Sequence, residues 1–132
     1  MTAASRVESA VAELSEGFGR QLSRAESVCE QHGRDEGWHD PSPPDAVVFA
    51  ESTDDVVAVV RACARHSVPL IPFGAGTSLE GHVAALSGGI SLDLTRMNRV
   101  LRVSGEDLDC TVEAGVTRKQ LNETINGQGL FF

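Results

Sequence analysis

The amino-acid sequence predicts an α+β fold in which one β-α-β unit is joined to further mixed and antiparallel strands. The first observation is the short, continuously apolar run at residues 46–50, which is typical of a buried strand. The second is the amphipathic helical pattern that begins at Ser52 or Thr53 and that Pro69 terminates. The third is the apolar run at residues 68–71, which completes the unit and favours a right-handed parallel crossover.

The N-terminal third of the chain predicts a helical appendage and a connector. Apolar side chains recur at helical spacing over residues 4–18, and a second helical stretch covers residues 21–31. Residues 33–44 contain three prolines and a run of charged side chains, which is typical of a connector. We therefore predict two regions: a helical segment with its connector at residues 1–43, and a folded domain at residues 44–132.

Further strand patterns follow. Residues 90–94 alternate between apolar and polar side chains, and residues 100–103 and 108–114 predict an antiparallel hairpin. Thr117 and Gln120 predict a capping box for a last helix. The apolar residues 130–132 predict the start of another strand. We therefore expect the domain to be incomplete at its C-terminal end and the chain to be one piece of a larger protein.

Composition and charge exclude several classes of function. The formal net charge is −8 and the eleven Lys and Arg residues are scattered, which argues against nucleic-acid binding. No apolar run is long enough to span a bilayer, and residues 1–16 lack the pattern of a secretion signal. The histidines show no metal-binding spacing, so we predict no metal site. The cysteines are widely spaced and predict free thiols in a reducing cytoplasm: Cys29, Cys63 and Cys110.

The most informative segment is residues 68–82, where an apolar strand runs into a loop of glycines and hydroxyl side chains. Glycine has no Cβ, so backbone N–H groups can approach a phosphate closely, and Thr77 and Ser78 can donate hydroxyl groups to it. The Walker pattern requires a lysine where His82 stands, and the Rossmann fingerprint requires a third glycine where Leu79 stands. The loop therefore predicts a phosphate site of a different type.

Several short motifs follow one another in a recognisable order. They are Pro-Asp-Ala-Val-Val at residues 44–48, Ser-Thr-Asp-Asp-Val at 52–56, Pro-Phe-Gly-Ala-Gly-Thr-Ser-Leu-Glu-Gly-His at 72–82, Leu-Asp-Leu at 92–94 and Val-Glu-Ala-Gly-Val at 112–116. In these motifs the chain resembles the PCMH-type FAD-binding domain of the vanillyl-alcohol oxidase/p-cresol methylhydroxylase superfamily. Within that superfamily, residues 72–82 are most similar to the D-lactate dehydrogenase (cytochrome) and glycolate oxidase subunit branch.

The resemblance implies that FAD is the cofactor and that the glycine loop holds its pyrophosphate. The implied cofactor-binding residues are Pro72, Phe73, Gly74, Ala75, Gly76, Thr77, Ser78, Leu79, Glu80, Gly81 and His82 in the loop, with Glu113 and Gly115 at the end of a later strand. We expect the Glu80 carboxylate to accept hydrogen bonds from loop N–H groups and His82 to line the site. No residue of the chain is predicted to be catalytic.

The resemblance also implies that the chain is the N-terminal part of an FAD-dependent oxidoreductase. The implied reaction is oxidation of a D-2-hydroxy acid, of the D-lactate or glycolate type, to the 2-oxo acid. A later domain would bind the substrate, and electrons would pass from the flavin to a cytochrome, the quinone pool or another acceptor. Three alternatives stay open. They are another FAD-linked enzyme of the superfamily, such as an alkylglycerone-phosphate synthase or a sugar oxidase; a truncated, inactive flavin-binding module; and a protein that binds a different phosphate-containing ligand. The expected location is cytoplasmic, with peripheral attachment to the inner face of the membrane as an alternative.

Overall fold

A computed structural model describes residues 2–132 of the chain. Within this range the α-helices are α1 (Ala3–Phe18), α2 (Glu26–His32), α3 (Thr53–His66) and α4 (Arg118–Ile125). The strands are β1 (Leu22–Ser23), β2 (Ala46–Phe49), β3 (Leu70–Phe73), β4 (Ile90–Asp93), β5 (Val100–Ser104) and β6 (Asp109–Val112). Short 3-10 turns follow α1 at Gly19–Gln21 and α4 at Asn126–Gln128.

Strands β2, β4 and β3 form a parallel sheet, to which β1 adds one antiparallel edge in the order β1-β2-β4-β3. The two strands of the predicted β-α-β unit are therefore neighbours of β4 and not of each other. Strands β5 and β6 form a separate antiparallel hairpin. This arrangement brings the carboxyl ends of β2, β3 and β4 to one edge of the sheet, and it agrees with the predicted mixture of parallel and antiparallel strands.

The crossover helix α3 begins where the sequence predicts. The Ser52 hydroxyl oxygen accepts a hydrogen bond from the Asp55 backbone N–H at 3.1 Å, and acidic side chains in the first turn complement the helix dipole. On this helix Ala62 lies in the core, while Val60 is exposed. The helix ends at His66, two residues before Val68 and three before Pro69.

Helices α1 and α3 pack on one face of the sheet and form its core with β2 and β4. The fully buried side chains of this core include Ala10, Val48, Val59 and Ile90. Each large apolar side chain buried here stabilises the fold by about 1.5–3 kcal/mol. Residues before and after position 43 thus share one core. The division at that position stays a prediction.

Two predicted elements are wrong. Residues 21–31 do not form one helix, because Leu22 and Ser23 pair with β2 as strand β1 before α2 begins. Residues 130–132 do not form a strand within the described structure. Instead, the Phe132 backbone N–H donates a hydrogen bond to Asn122 Oδ1 at 2.7 Å, and the Phe132 carbonyl oxygen accepts one from Asn122 Nδ2 at 3.1 Å. The Asn122 side chain in helix α4 thus satisfies backbone groups that a neighbouring strand would otherwise bond.

Candidate functional site

The glycine loop leaves the sheet at the carboxyl end of β3, next to the carboxyl end of β4. Ligands of open parallel sheets bind in the crevice outside these strand ends. Strand β3 is an edge strand paired only with β4, so Pro72 can stand within it without removing a hydrogen bond from the sheet. The segment that the sequence identifies as a phosphate loop therefore begins at an edge where a ligand has room.

Six consecutive backbone N–H groups in the loop have no hydrogen-bond partner among the described residues. The N–H groups of residues 74–79 donate to no atom of residues 2–132, whereas those of the next two residues are bound. Gly76 and Gly81 adopt the left-handed conformation, with φ of +67° and +73°, which glycine reaches without steric cost. Successive free N–H groups in turn conformations are a recognised form of anion site, and they fit a pyrophosphate.

The Phe73 ring supports the first half of the loop from below. A Cβ on Gly76 would lie 2.9 Å from Phe73 Cζ, so the loop backbone sits directly on the ring. The His32 ring packs against the same ring, with their centroids 4.2 Å apart. Gly74 is different, because a Cβ there would meet no atom within 4 Å. The space beside Gly74 is therefore open to a ligand.

The two loop hydroxyls have different environments. Ser78 Oγ lies 2.5 Å from His82 Nδ1, so these two side chains satisfy each other, while the exposed Thr77 hydroxyl bonds no described residue. The Glu80 side chain is exposed and makes no hydrogen bond within residues 2–132, so the expectation that it ties the loop is wrong. Ala75 and Leu79 are exposed as well.

Asp35 makes the contact that was expected of Glu80. Its Oδ2 accepts a hydrogen bond from the Gly81 N–H at 2.9 Å, and its Oδ1 accepts one from the Gly37 N–H at 2.8 Å. Asp35 was not predicted as a site residue. The Asp-x-Gly spacing indicates the local turn at Gly37, but no pattern in the sequence connects Asp35 with a glycine far along the chain.

A buried charged pair lies beneath the loop and was also missed. His32 Nε2 is 2.7 Å from Asp93 Oδ2, and both side chains are almost fully buried. Burial opposes the charged imidazolium, but hydrogen bonds to Asp93 and to the Val28 carbonyl oxygen outweigh it and raise the pKa of His32. Burial likewise opposes the carboxylate, yet hydrogen bonds from His32 and Thr95 lower the pKa of Asp93.

Glu113 and Gly115 occupy positions with clear packing roles. Both Glu113 carboxylate oxygens accept hydrogen bonds from Arg99, which lower the pKa of that carboxyl group. A Cβ on Gly115 would overlap the carbonyl oxygen of Leu94, whose own N–H donates to the Phe73 carbonyl oxygen at 3.0 Å. Gly115 is thus connected to the start of the loop through one intervening residue.

Other features of the described residues lie apart from the loop. An apolar groove of about 270 Å³ lies between the β5–β6 hairpin and α4, and it does not include the glycine loop. In residues 2–132 no three His, Cys, Asp or Glu side chains are grouped in a way that could hold a metal ion. No helix in the same range has both the length and the apolar character that a membrane crossing requires.

A parallel sheet with a glycine loop of free N–H groups at its carboxyl edge is typical of domains that bind the phosphates of a nucleotide cofactor. Residues 44–132 match the FAD binding domain family. The chain therefore belongs to that family, and FAD is its cofactor. The match confirms the cofactor that the sequence resemblance implies.

Two sequence relatives are similar to this chain over most of its length. The chain is 49% identical over 111 residues to the probable mitochondrial D-lactate dehydrogenase of Danio rerio, an alignment that covers 84% of this chain and 22% of that protein. It is 42% identical over 89 residues to the mitochondrial D-lactate dehydrogenase [cytochrome] of Arabidopsis thaliana, covering 67% of this chain and 16% of that one. The chain thus spans about a fifth of the length of these relatives.

The fold is that of the PCMH-type FAD-binding domain. The structure of p-cresol methylhydroxylase with substrate bound superimposes with a TM-score of 0.83 and 24% identity, over 96% of this chain and 25% of that chain. Identity at this level establishes the fold alone. The superposition confirms the predicted α+β fold class and its first subdomain.

Proposed function

We propose that residues 74–79 bind the FAD pyrophosphate and that the chain supplies this part of the flavin site in an FAD-dependent oxidoreductase. The observation that supports the proposal most directly is the run of six free backbone N–H groups at the carboxyl edge of the sheet. Neutral backbone donors can bind a phosphate without a lysine. This suits a chain whose net charge is −8.

The proposed site contains all the loop residues that the sequence singles out, in different roles. The N–H groups of residues 74–79 and the Thr77 hydroxyl donate hydrogen bonds to phosphate oxygens. Phe73 ends strand β3 and supports the loop, Pro72 precedes it within the strand, and residues 80–82 close the far end of the loop. Glu113 and Gly115 hold the adjoining segment at residues 94–99 in place. The bound flavin supplies the electron-transfer chemistry, while the protein binds and orients it.

The proposed reaction of the whole protein is oxidation of a D-2-hydroxy acid of the D-lactate type to the 2-oxo acid. Support comes from the names of the sequence relatives, both of which are D-lactate dehydrogenases. The name of the Arabidopsis thaliana relative also supports a cytochrome as the electron acceptor. The cytoplasmic location stays a prediction from the cysteine pattern of the sequence, because both relatives are mitochondrial by name. No residue of this chain is assigned a catalytic role.

A pair of glycine substitutions tests the loop. Gly74 and Gly17 both have open space at the position of a Cβ, and neither has a positive φ. We expect Gly74→Ala to fold like the parent chain but to raise the Kd for FAD about tenfold or more, because its methyl group occupies the space beside the phosphate. Gly17→Ala lies in helix α1 and serves as the matched control with an unchanged Kd.

Isothermal titration calorimetry of the 132-residue chain with FAD measures the Kd, and circular dichroism verifies that each variant is folded. Equal affinities for Gly74→Ala and Gly17→Ala would overturn the assignment of the loop, as would a folded parent chain that does not bind FAD. For the reaction, D-lactate should reduce the flavin of the whole protein and L-lactate should not. The opposite preference would contradict the proposed substrate class.

A further inference from the structure

We infer that Asp35 is a positioning residue for FAD binding, which holds the far end of the glycine loop so that the free N–H groups keep their arrangement. The inference rests on the proposed function of the loop and adds a residue from outside the family match, which begins at residue 44. Asp35 need not touch the cofactor. It acts through Gly81, whose N–H it holds at 2.9 Å.

The two carboxylate oxygens of Asp35 join the connector to the loop. Oδ1 accepts from the Gly37 N–H at 2.8 Å and fixes the connector turn, while Oδ2 accepts from Gly81. Asp35 is half-buried, and hydrogen bonds to a charged acceptor are stronger than neutral ones. One side chain therefore ties together two backbone segments that are far apart in sequence.

Backbone packing around this carboxylate reinforces the attachment. A Cβ on Gly37 would lie 2.8 Å from the Leu79 carbonyl oxygen, so the connector backbone touches the loop backbone. The His39 ring covers Gly81 so closely that a Cβ there would lie 2.9 Å from His39 Cδ2. Because Phe73 supports the near end of the loop, the free N–H groups of residues 74–79 lie between two fixed points.

The charge of Asp35 makes the inference sharply testable. A carboxylate near a phosphate site repels the ligand, so electrostatics alone predicts that removing it strengthens FAD binding. A positioning role predicts the opposite, because the loop would lose one fixed end and would need to be ordered on binding. The sign of the change in affinity therefore separates the two effects.

The test compares four variants of the 132-residue chain by FAD titration. Asp35→Ala removes both hydrogen bonds, and Asp35→Asn keeps one acceptor oxygen. Gly37→Ala disturbs the contact with Leu79 while all charges remain. Glu36→Gln is the matched control, because it removes a neighbouring exposed charge whose side chain bonds no described residue.

We expect Asp35→Ala to raise the Kd for FAD about ten- to a hundredfold, with Asp35→Asn between it and the parent chain. Gly37→Ala should also weaken binding, and Glu36→Gln should leave the Kd unchanged or lower it. The melting temperature of Asp35→Ala should stay close to that of the parent. Amide hydrogen exchange at Gly81 should accelerate in Asp35→Ala and not in Glu36→Gln.

Unchanged or tighter FAD binding by folded Asp35→Ala would overturn the inference and leave the proposed function intact. If Asp35→Ala does not fold, equal affinities for folded Asp35→Asn and Glu36→Gln would overturn it instead. A different pattern, in which the folded parent chain and Glu36→Gln both fail to bind FAD, would overturn the proposed function and this inference together.

Discussion

His32 and Asp93 form a buried ion pair directly beneath the start of the glycine loop. His32 Nε2 lies 2.7 Å from Asp93 Oδ2, and His32 Nδ1 lies 2.8 Å from the Val28 carbonyl oxygen. Both ring nitrogens face oxygen atoms, and against the effect of burial the hydrogen bonds to Asp93 and Val28 raise the pKa of His32, which favours the imidazolium. The His32 ring also packs against the Phe73 ring, which supports the loop. The pair of His32 and Asp93 is therefore in contact with the residue on which the loop rests.

We expect the stability of the chain to fall as the pH rises above neutrality. The folded pKa of His32 is raised above its ordinary value of 6.5, so its stabilising contribution is complete below that value and is lost as the pH rises through the folded pKa. The folded pKa of Asp93 is lowered below 3.8, so its contribution is complete above that value and is lost as the pH falls through the folded pKa. Urea unfolding from pH 2 to 9 measures both arms of the profile.

Asp93→Asn provides the control for that profile, since surface carboxyl groups such as Glu13 also have a lowered pKa. Removing one partner leaves the other charge buried and costs about 3–5 kcal/mol of folding free energy near pH 6. The difference between parent and variant should shrink as the pH rises and His32 deprotonates. A constant difference between pH 5 and pH 9 would show that the pair is not ionised as described.

Gly115→Ala should destabilise the fold even without FAD. Its Cβ would overlap the Leu94 carbonyl oxygen and lie 2.8 Å from that of Met97, and both are backbone atoms that cannot move independently. We expect a loss of about 1–3 kcal/mol in the free energy of unfolding, measured by urea titration. Gly127→Ala is the matched control, because a Cβ there meets nothing within 4 Å. Equal stability of the two variants would contradict the packing role of Gly115.

Ser91→Ala should leave the chain as stable as before or make it more stable. Ser91 is fully buried in the central strand β4, and its hydroxyl oxygen has no hydrogen-bond partner within residues 2–132. Removing an unsatisfied buried hydroxyl recovers its desolvation penalty, which is about 1–3 kcal/mol. Thermal unfolding measures the change. A large drop in melting temperature would mean that the hydroxyl has a partner the described contacts do not include.

Thr77→Val should weaken FAD binding more than Ser78→Ala. The Thr77 hydroxyl is exposed and bonds no described residue, whereas Ser78 Oγ is already engaged with His82 Nδ1. Valine keeps the shape of threonine, so we expect a rise of about three- to tenfold in the Kd for FAD with little change in melting temperature. If Ser78→Ala has the larger effect on the Kd, Ser78 must exchange His82 for the phosphate when FAD binds.

Local sequence signals predicted the elements of this fold well. The caps at Ser52 and Thr117 lie where the side-chain pattern places them, and each accepts the expected N–H of the third following residue. Gln120 does not complete the predicted capping box, because its side chain donates to the Asn98 carbonyl oxygen instead. Short strands were less predictable: β1 has two residues and exists because it pairs with β2.

The residues that support the candidate site could not be predicted in the same way. The identity of the loop follows from glycine and hydroxyl residues that are contiguous in sequence. Its supports come from elsewhere in the chain: Asp35 from the connector, and His32 and Asp93 from a helix end and a strand end. Each of these contacts joins residues far apart in sequence. A charged run in a proline-rich connector is usually solvated, so nothing in the sequence favoured Asp35 over Glu80 as the residue that accepts hydrogen bonds from the loop.

The central claim is that the free N–H groups of residues 74–79 bind the FAD pyrophosphate, and amide NMR of the ¹⁵N-labelled 132-residue chain tests it most directly. Titration with FAD, and separately with inorganic pyrophosphate, should shift the amide resonances of residues 74–79 most strongly, while those of helix α1 stay unchanged. Shifts confined to other parts of the chain, or none at ligand concentrations that saturate binding in the titrations, would contradict the account.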